Sequence, residues 1–566
     1  MSRHPGREPY PADPRQYGPV PTERPVTPAM RRATDNAVLG AVLAAMGLAV
    51  SMWLAAGLGG IMQHGRWPRG LGLTETGVAL PALLRDPAHP ERAFPAEVQG
   101  LPRPGIFWGL FVCLILFWLM TAYVVGRWWT RRQAARRLTA NSAGAGTVAE
   151  HLSAQAVARR ARAAQPSLAG KRDQIGLLLG RDVGSGTELY AGLDDACCAL
   201  GPARSGKATH LLLPALLDAP GPVVAVSNRT DPVRHTLKFR AKLGPAYVFD
   251  PYDRVPGGTR VRWAPQQGCA ASGVATQRAR ALVAGARVAD ARVEAVVRCY
   301  LHALALDGRP LKHVLAWAAD PATAEPARIL RTSGSAADGW AEELAELAGS
   351  ADRTVIWAGV RRVFEALGDA RVLAACAPND ALDRFLDERA TLYLVGAGGA
   401  EPALTPLLTA LAQDVVERAR RAAGTAGTGR LDPPLVLVLD DPAESAPLPG
   451  LPALLADGPG FGVTPVVALR SLAAARDRWG ASGAGALWDA ATVKLVFGGL
   501  ADPYDLDRVD ALTRGSGLDP RTLPAGHALL LHRNVPPLSV RLVPWWKRDY
   551  HLPGQPDRRI VLAPEG

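Results

Sequence analysis

Residues 201–210, "GPARSGKATH", place Gly201, Gly206 and Lys207 at the spacing of the phosphate-binding pattern G-x-x-x-x-G-K-[ST]. The chemistry of such a loop is anion capture. Glycines let successive backbone N–H groups turn toward one point, the N-terminus of the next helix adds its positive end, and the lysine reaches the β and γ phosphates. Gly201, Arg204, Ser205, Gly206, Lys207, Ala208 and Thr209 are therefore the candidate nucleotide-binding residues, with ATP and Mg²⁺ as the expected cofactors. The residue after the lysine is Ala208, which has no hydroxyl to offer the metal, and Thr209 lies about 100° further round a helix. A second element is the apolar run "LVLVLDD", residues 435–441. Asp440 is placed to hold Mg²⁺ through water. Asp441 follows as a candidate catalytic acid orienting the attacking water, with a side chain one methylene shorter than glutamate.

Loops of this kind need a rigid frame, and the surrounding periodicity supplies one. A strand-like stretch, "ELYAGLDDACCAL", enters the glycine loop and a helical one, "KATHLLLPALLDA", leaves it. The apolar runs "GPVVAVSN", "AYVFDPYD", "ATLYLVG", "PLVLVLDD", "TPVVALR" and "TVKLVFGG" are spaced by helical segments, which predicts an α/β fold with a parallel sheet covered on both faces. Residues 275–375 show alanine-rich helical segments and no strand, so a helical insertion domain is expected there. "HALLLHR" and "LSVRLVPWW" read as a closing hairpin around Pro536 and Pro537.

Ahead of this unit stand two uncharged runs, residues 37–62 and 105–126, each long enough at ~1.5 Å per residue to cross a ~30 Å hydrocarbon core as a transmembrane helix. Arg127, Arg131, Arg132, Arg136 and Arg137 crowd the exit of the second, and Arg31 and Arg32 precede the first. The positive-inside bias therefore predicts a two-pass protein of the cell membrane with both termini cytoplasmic and residues 63–104 outside. Residues 1–35 are proline-rich and charged and read as a solvated tail. The expected organisation is this tail, a membrane anchor over 36–126, a juxtamembrane helical stalk over 127–170, a nucleotide-binding domain in two parts (171–265 and 386–550), the insertion over 266–385, and a C-terminal tail over 551–566. The formal charge of +12 comes mostly from arginine, which suits an anionic partner such as nucleic acid or membrane lipid and also follows from a GC-rich genome. The six cysteines are scattered without C-x-x-C or histidine partners, which argues against a disulfide framework or a zinc site.

Taken together, the two N-terminal spans, "GPARSGK", "VVAVSNRTD", "YVFDPYD" followed by "RWAPQQG", "LVLVLDDPAE" and "LWDAATVKLVFGGLADPYDLDRV" resemble the type IV coupling proteins of conjugative DNA transfer, in their actinobacterial form. The resemblance runs from about residue 127 to 548. It implies a RecA-like P-loop NTPase fold and a homo-hexameric ring. It also implies recruitment of single-stranded DNA or a relaxase–DNA complex, and delivery to inner-membrane secretion channel proteins. The chain departs from the family at the catalytic positions. Asp441 stands for the usual glutamate, and Arg470, in "VVALRS", stands where the family carries a glutamine that senses the γ-phosphate. Ala208 lacks the metal hydroxyl, although small residues do occur there in the family. Two function classes stay open: an ATP-driven translocase, or a receptor of the same fold that binds nucleotide without efficient hydrolysis. The related DNA pumps of chromosome partitioning carry more spans and a C-terminal winged-helix reader, for which the last sixteen residues are too short.

Overall fold

The computed structural model describes residues 28–139, 145–168, 176–396, 404–552, 555–560 and 562–563. Most of the proline-rich tail and parts of the stalk and of the C-terminal tail lie outside these. The chain divides into two compact units, Met1–Gln133 and Ala134–Gly566.

The first unit holds helix Pro28–His64 and helix Pro104–Thr139 as far as Gln133, and these contain apolar windows, Met46–His64 and Pro104–Trp129, that are long enough to cross a membrane by length and composition. The segment between them is folded. It forms helix Leu73–Arg85 and the short helix Pro90–Ala93, and Leu83 and Phe94 bury against Met52, Ala55 and Ala56 of the first long helix and Phe107 of the second. Trp53 Nε1 donates to the Leu71 carbonyl at 3.4 Å and Trp108 Nε1 to that of Pro87 at 2.7 Å, so both indoles spend their one polar group fixing this segment.

The second unit is built on twelve strands: β1 Gly176–Asp182, β2 Glu188–Gly192, β3 Cys197–Leu200, β4 Val223–Ser227, β5 Ala246–Phe249, β6 Thr259–Arg260, β7 Thr391–Val395, β8 Leu435–Asp440, β9 Val463–Leu469, β10 Val493–Phe497, β11 His527–His532 and β12 Val535–Arg541. They form one sheet in the order β2-β1-β12-β11-β10-β3-β9-β8-β4-β7-β5-β6. From β10 to β6 every neighbouring pair is parallel. The four remaining strands are antiparallel and extend the β10 edge. The sheet is thus mostly parallel. β4 and β9 are buried along their whole length and β8 up to Asp440, because helices cover both faces, and this is why they read as unbroken apolar runs.

Two sequence expectations are corrected. "ELYAGLDDACCAL" is not one strand: Asp195 accepts from the Gly192 backbone N–H at 2.8 Å and turns the chain between β2, an edge strand, and β3. The closing hairpin turns at Arg533–Asn534, and Pro536 and Pro537 lie inside β12, where the register with β11 slips between Leu530 and His532. Prolines have no N–H to give a ladder, so they sit where the ladder is already broken. Helices Ala145–Leu152 and Ala154–Ala164 pack Val148, Leu152 and Val157 near β1 and β2, and Arg160 pairs with Asp195 at 2.8 Å.

Between β6 and β7 the described chain is helical from Ser272–Gly285 to Ala370–Ala375. Its centre is Tyr300, whose hydroxyl donates to the Trp317 carbonyl at 2.9 Å and accepts from Trp357 Nε1 at 3.1 Å. The insertion is tied to the sheet by a buried ion pair. Arg278, on helix Ser272–Gly285, meets Asp414, on helix Thr405–Thr425, at 2.7 Å, and the Trp263 indole donates to the same carboxylate while its ring lies under the guanidinium.

Candidate nucleotide site

The glycine loop leaves the carboxyl end of β3 beside the ends of β9 and β10. The Gly201 N–H donates to the Leu469 carbonyl at 3.2 Å, fixing the loop's first residue to the last residue of β9. A Cβ on Gly201 would lie 2.7 Å from the Cβ of Phe497, which leaves no room for it, and one on Gly206 would lie 2.8 Å from His210 Nδ1, so the imidazole would have to turn aside. Gly206 also has φ +96°, and Arg204 between them takes φ +63°, a left-handed turn that curls the loop. The helix that follows begins as a π-helix, Ala208–Leu212, and becomes α-helical over Leu213–Asp218. Pro214 has no N–H for the His210 carbonyl four residues back. That carbonyl instead accepts from Arg548 Nη2 at 3.1 Å.

Lys207 is buried, and its ammonium donates to the Gly201 and Pro202 carbonyls, the latter at 2.7 Å, and to Ser205 Oγ at 3.4 Å. Burial lowers its pKa, partly opposed by the charges of Asp440 and Asp441. Its charge is therefore held by carbonyls of its own loop, weak partners that a phosphate would outbid.

The acids come from β8. Asp440 ends the strand, and its Oδ2 accepts from Ser227 Oγ, at the end of β4, at 2.8 Å. Asp441 steps off the strand at φ +52°, ψ +62° and is 7% exposed. Burial pushes its carboxyl up to about 6; Arg470 pulls the other way, while Asp440 and Glu444 reinforce the rise. Arg470 follows the end of β9, which lies between β3 and β8, so the sheet order itself sets this side chain between phosphate loop and acids. Its Nε stands 2.6 Å from Asp441 Oδ2 in an ion pair that lacks hydrogen-bond alignment.

Arg204, Ser205, Gly206, Lys207, Ala208, Thr209, Asp440, Asp441 and Arg470 all line one open cavity of about 510 Å³, while Gly201 lies beneath the loop. Oxygen donors are what Mg²⁺ requires, and it is commonly held by one or two carboxylates with phosphates and water completing the shell. Asp440, oriented by Ser227, suits that role. Among the described residues no cluster of three or more His, Cys, Asp or Glu side chains forms a metal cage. The cavity has a second wall that sequence reasoning missed: Asn228 and Arg229 after β4, Asp231 and His235 on helix Asp231–Arg240, and Trp545 and Trp546 beyond β12. The first four stand at the carboxyl end of a parallel strand, where ligands of open α/β sheets bind, so "SNRTD" carried a usable signal.

A glycine loop between strand and helix, with acids at the end of a nearby parallel strand and a cavity joining them, is the architecture of the P-loop NTPase fold. Residues 434–512, from β8 through Arg470 and Trp488 to helix Pro503–Thr513, match the family described as the TraM recognition site of TraD and TraG. Among solved structures, the chain is similar to the bacterial conjugative coupling protein TrwBdeltaN70 in its trigonal form with sulphate, with 19% identity and a TM-score of 0.51 over 69% of this chain and 92% of that one. The plasmid coupling protein TrwB in complex with ADP and Mg²⁺ matches at 18% identity and a TM-score of 0.49, covering 65% and 89% of the two chains. VirB4 of Thermoanaerobacter pseudethanolicus matches at 15% and 0.40, covering 65% and 96%. No curated protein matches the chain in sequence. The resemblance to the type IV coupling proteins and the P-loop fold it implied are borne out, with the sheet mixed rather than wholly parallel.

Proposed function

We propose that the chain is a membrane-anchored coupling protein of a type IV secretion or conjugation-like system, which binds ATP with Mg²⁺ and recruits DNA or a relaxase–DNA complex for delivery to a channel. The observation that carries this reading is the single cavity holding the phosphate loop, Asp440, Asp441 and Arg470 within a fold shared with coupling proteins. Lys207 and the loop amides hold the phosphates, Asp440 holds the metal, and Asp441 orients water. The match over residues 434–512 supports a relaxosome component as partner. The two apolar helices support insertion in the cell membrane, with both termini cytoplasmic, and the family resemblance supports a hexamer.

A second reading has its own observation. Asp441 is ion-paired to Arg470 and Ala208 brings no hydroxyl, an arrangement suited to a nucleotide-binding receptor that docks substrate and hydrolyses poorly. ATP hydrolysis by the purified chain, with and without single-stranded DNA, separates the two. DNA-stimulated turnover supports the translocase, nucleotide binding without turnover supports the receptor, and neither binding nor turnover refutes both.

A further inference from the structure

The phosphate side of the cavity is accounted for by the glycine loop, and the remaining lining is not. Part of that lining is aromatic. Trp546 is half-buried and lines the cavity, and the buried Trp545 meets it edge-on, with ring centroids 5.7 Å apart at 87°. His235 lies against Trp545 at 5.0 Å, and its buried Nδ1 has no hydrogen-bond partner among the described residues.

The position of this part is fixed from the phosphate loop's own helix. Arg548, two residues beyond Trp546, is 5% exposed and donates to the His210 carbonyl at 3.1 Å, to the Leu178 carbonyl at 2.8 Å and to the Val543 carbonyl at 3.0 Å, and it pairs with Asp218 at 3.3 Å. His210 and Asp218 bracket the helix whose N-terminus cradles phosphate. The segment that carries Trp546 is therefore tied to that helix by an anchor that does not depend on a ligand.

We infer that Trp546 is the stacking platform for the base of a bound nucleoside triphosphate, on geometry that the Trp545–Trp546 pair and the cavity lining supply. This inference rests on the nucleotide reading above and extends it to the end of the ligand the glycine loop cannot touch. A cavity of about 510 Å³ has room for both ends, since small-ligand sites run from about 300 to 1,000 Å³. Loss of a stacked aromatic face should weaken base binding by about tenfold, equivalent to ~1.4 kcal/mol and toward the lower end of what such stacking contributes.

The test compares ATP with inorganic tripolyphosphate, which carries the phosphates and no base, by equilibrium binding to the full-length chain in detergent. Trp546→Ala is expected to weaken ATP by about tenfold and tripolyphosphate by less than about twofold. Trp546→Phe keeps a ring and should stay near the parent. Trp546→Leu keeps bulk without a ring and should resemble the alanine variant, which preserves the test if alanine at this position prevents folding. Equal losses for ATP and tripolyphosphate, or full ATP affinity in the leucine variant, would overturn the stacking role while leaving the nucleotide site standing. A parent chain that binds neither ligand overturns the nucleotide reading and the base platform with it.

Discussion

Replacing Arg470 by glutamine tests how the two unusual catalytic residues depend on each other. Asp441 is almost wholly buried, and its pKa of about 6 already reflects help from the guanidinium 2.6 Å away. Arg470 is 59% exposed, so the pair is largely screened and is worth ~1 kcal/mol rather than its full Coulomb energy. Removing it should move the ionisation of Asp441 upward by roughly 1 in pH, since 1.36 kcal/mol corresponds to one pKa unit. As a base, Asp441 acts in its ionised form. Turnover in the parent should therefore rise with pH through about 6, and the rise should come later in Arg470→Gln. The single variant thus frees the acid from its partner but leaves less of it charged near neutral pH. Only the combination of Ala208→Thr, Asp441→Glu and Arg470→Gln restores metal hydroxyl, reach and sensor together. It should raise single-turnover hydrolysis by on the order of tenfold, while each single change gains little because such groups act as a unit. Single-turnover hydrolysis from pH 5 to 9, with DNA present, is the assay. An unmoved pH profile in Arg470→Gln, or a full gain from one substitution, refutes the coupling. The linkage to folding has the opposite sense to activity: the folded state holds this proton more tightly than the unfolded chain does. The stability from Asp441 is therefore complete at pH below its ordinary 3.8 and is lost as pH rises through about 6.

Lys207→Ala should reduce ATP affinity at least tenfold, because the backbone cradle alone cannot replace its charge; equal binding of a fluorescent ATP analogue by variant and parent would show that the loop is only a turn. A cysteine introduced at Thr74 should be labelled by an impermeant reagent on intact cells and one at Ser185 only after lysis, and the reverse pattern would invert the proposed topology. Arg278→Ala should cost about 2 kcal/mol in chemical denaturation, since Asp414 Oδ1 loses its charged partner while Oδ2 keeps Arg418 and the Trp263 indole; a loss below about 0.5 kcal/mol would mean that these two suffice to hold the carboxylate.

The glycine loop, the acids of β8 and Arg470 were legible because each is a local pattern on a strand end, and a parallel sheet brings strand ends to one place. The sheet's mixed character was less so. β1 carries two glycines and an irregular register with β2, and the prolines of β12 look like turn residues when only local chemistry is weighed. What could not be read locally is the aromatic part of the cavity lining. Arg548 and His210 are 338 positions apart, and no periodicity relates them. Nor could the sequence reveal that Asp441 and Arg470, read separately as two departures from a family pattern, are partners in one ion pair.

One small detail of β9 governs how this site can move. The Leu469 carbonyl holds the Gly201 N–H at 3.2 Å, and the Ala468 carbonyl holds the Asp441 N–H at 2.9 Å, so two adjacent residues carry the phosphate loop on one side and the acid turn on the other. Three residues on, the Leu472 N–H is held by both oxygens of the buried Asp505, at 3.1 and 3.2 Å, from helix Pro503–Thr513. The strand end is thus a common bearing, clamped from three directions. A displacement of helix Pro503–Thr513 is therefore expected to shift loop and acid turn together, because all three hang on residues 468–472.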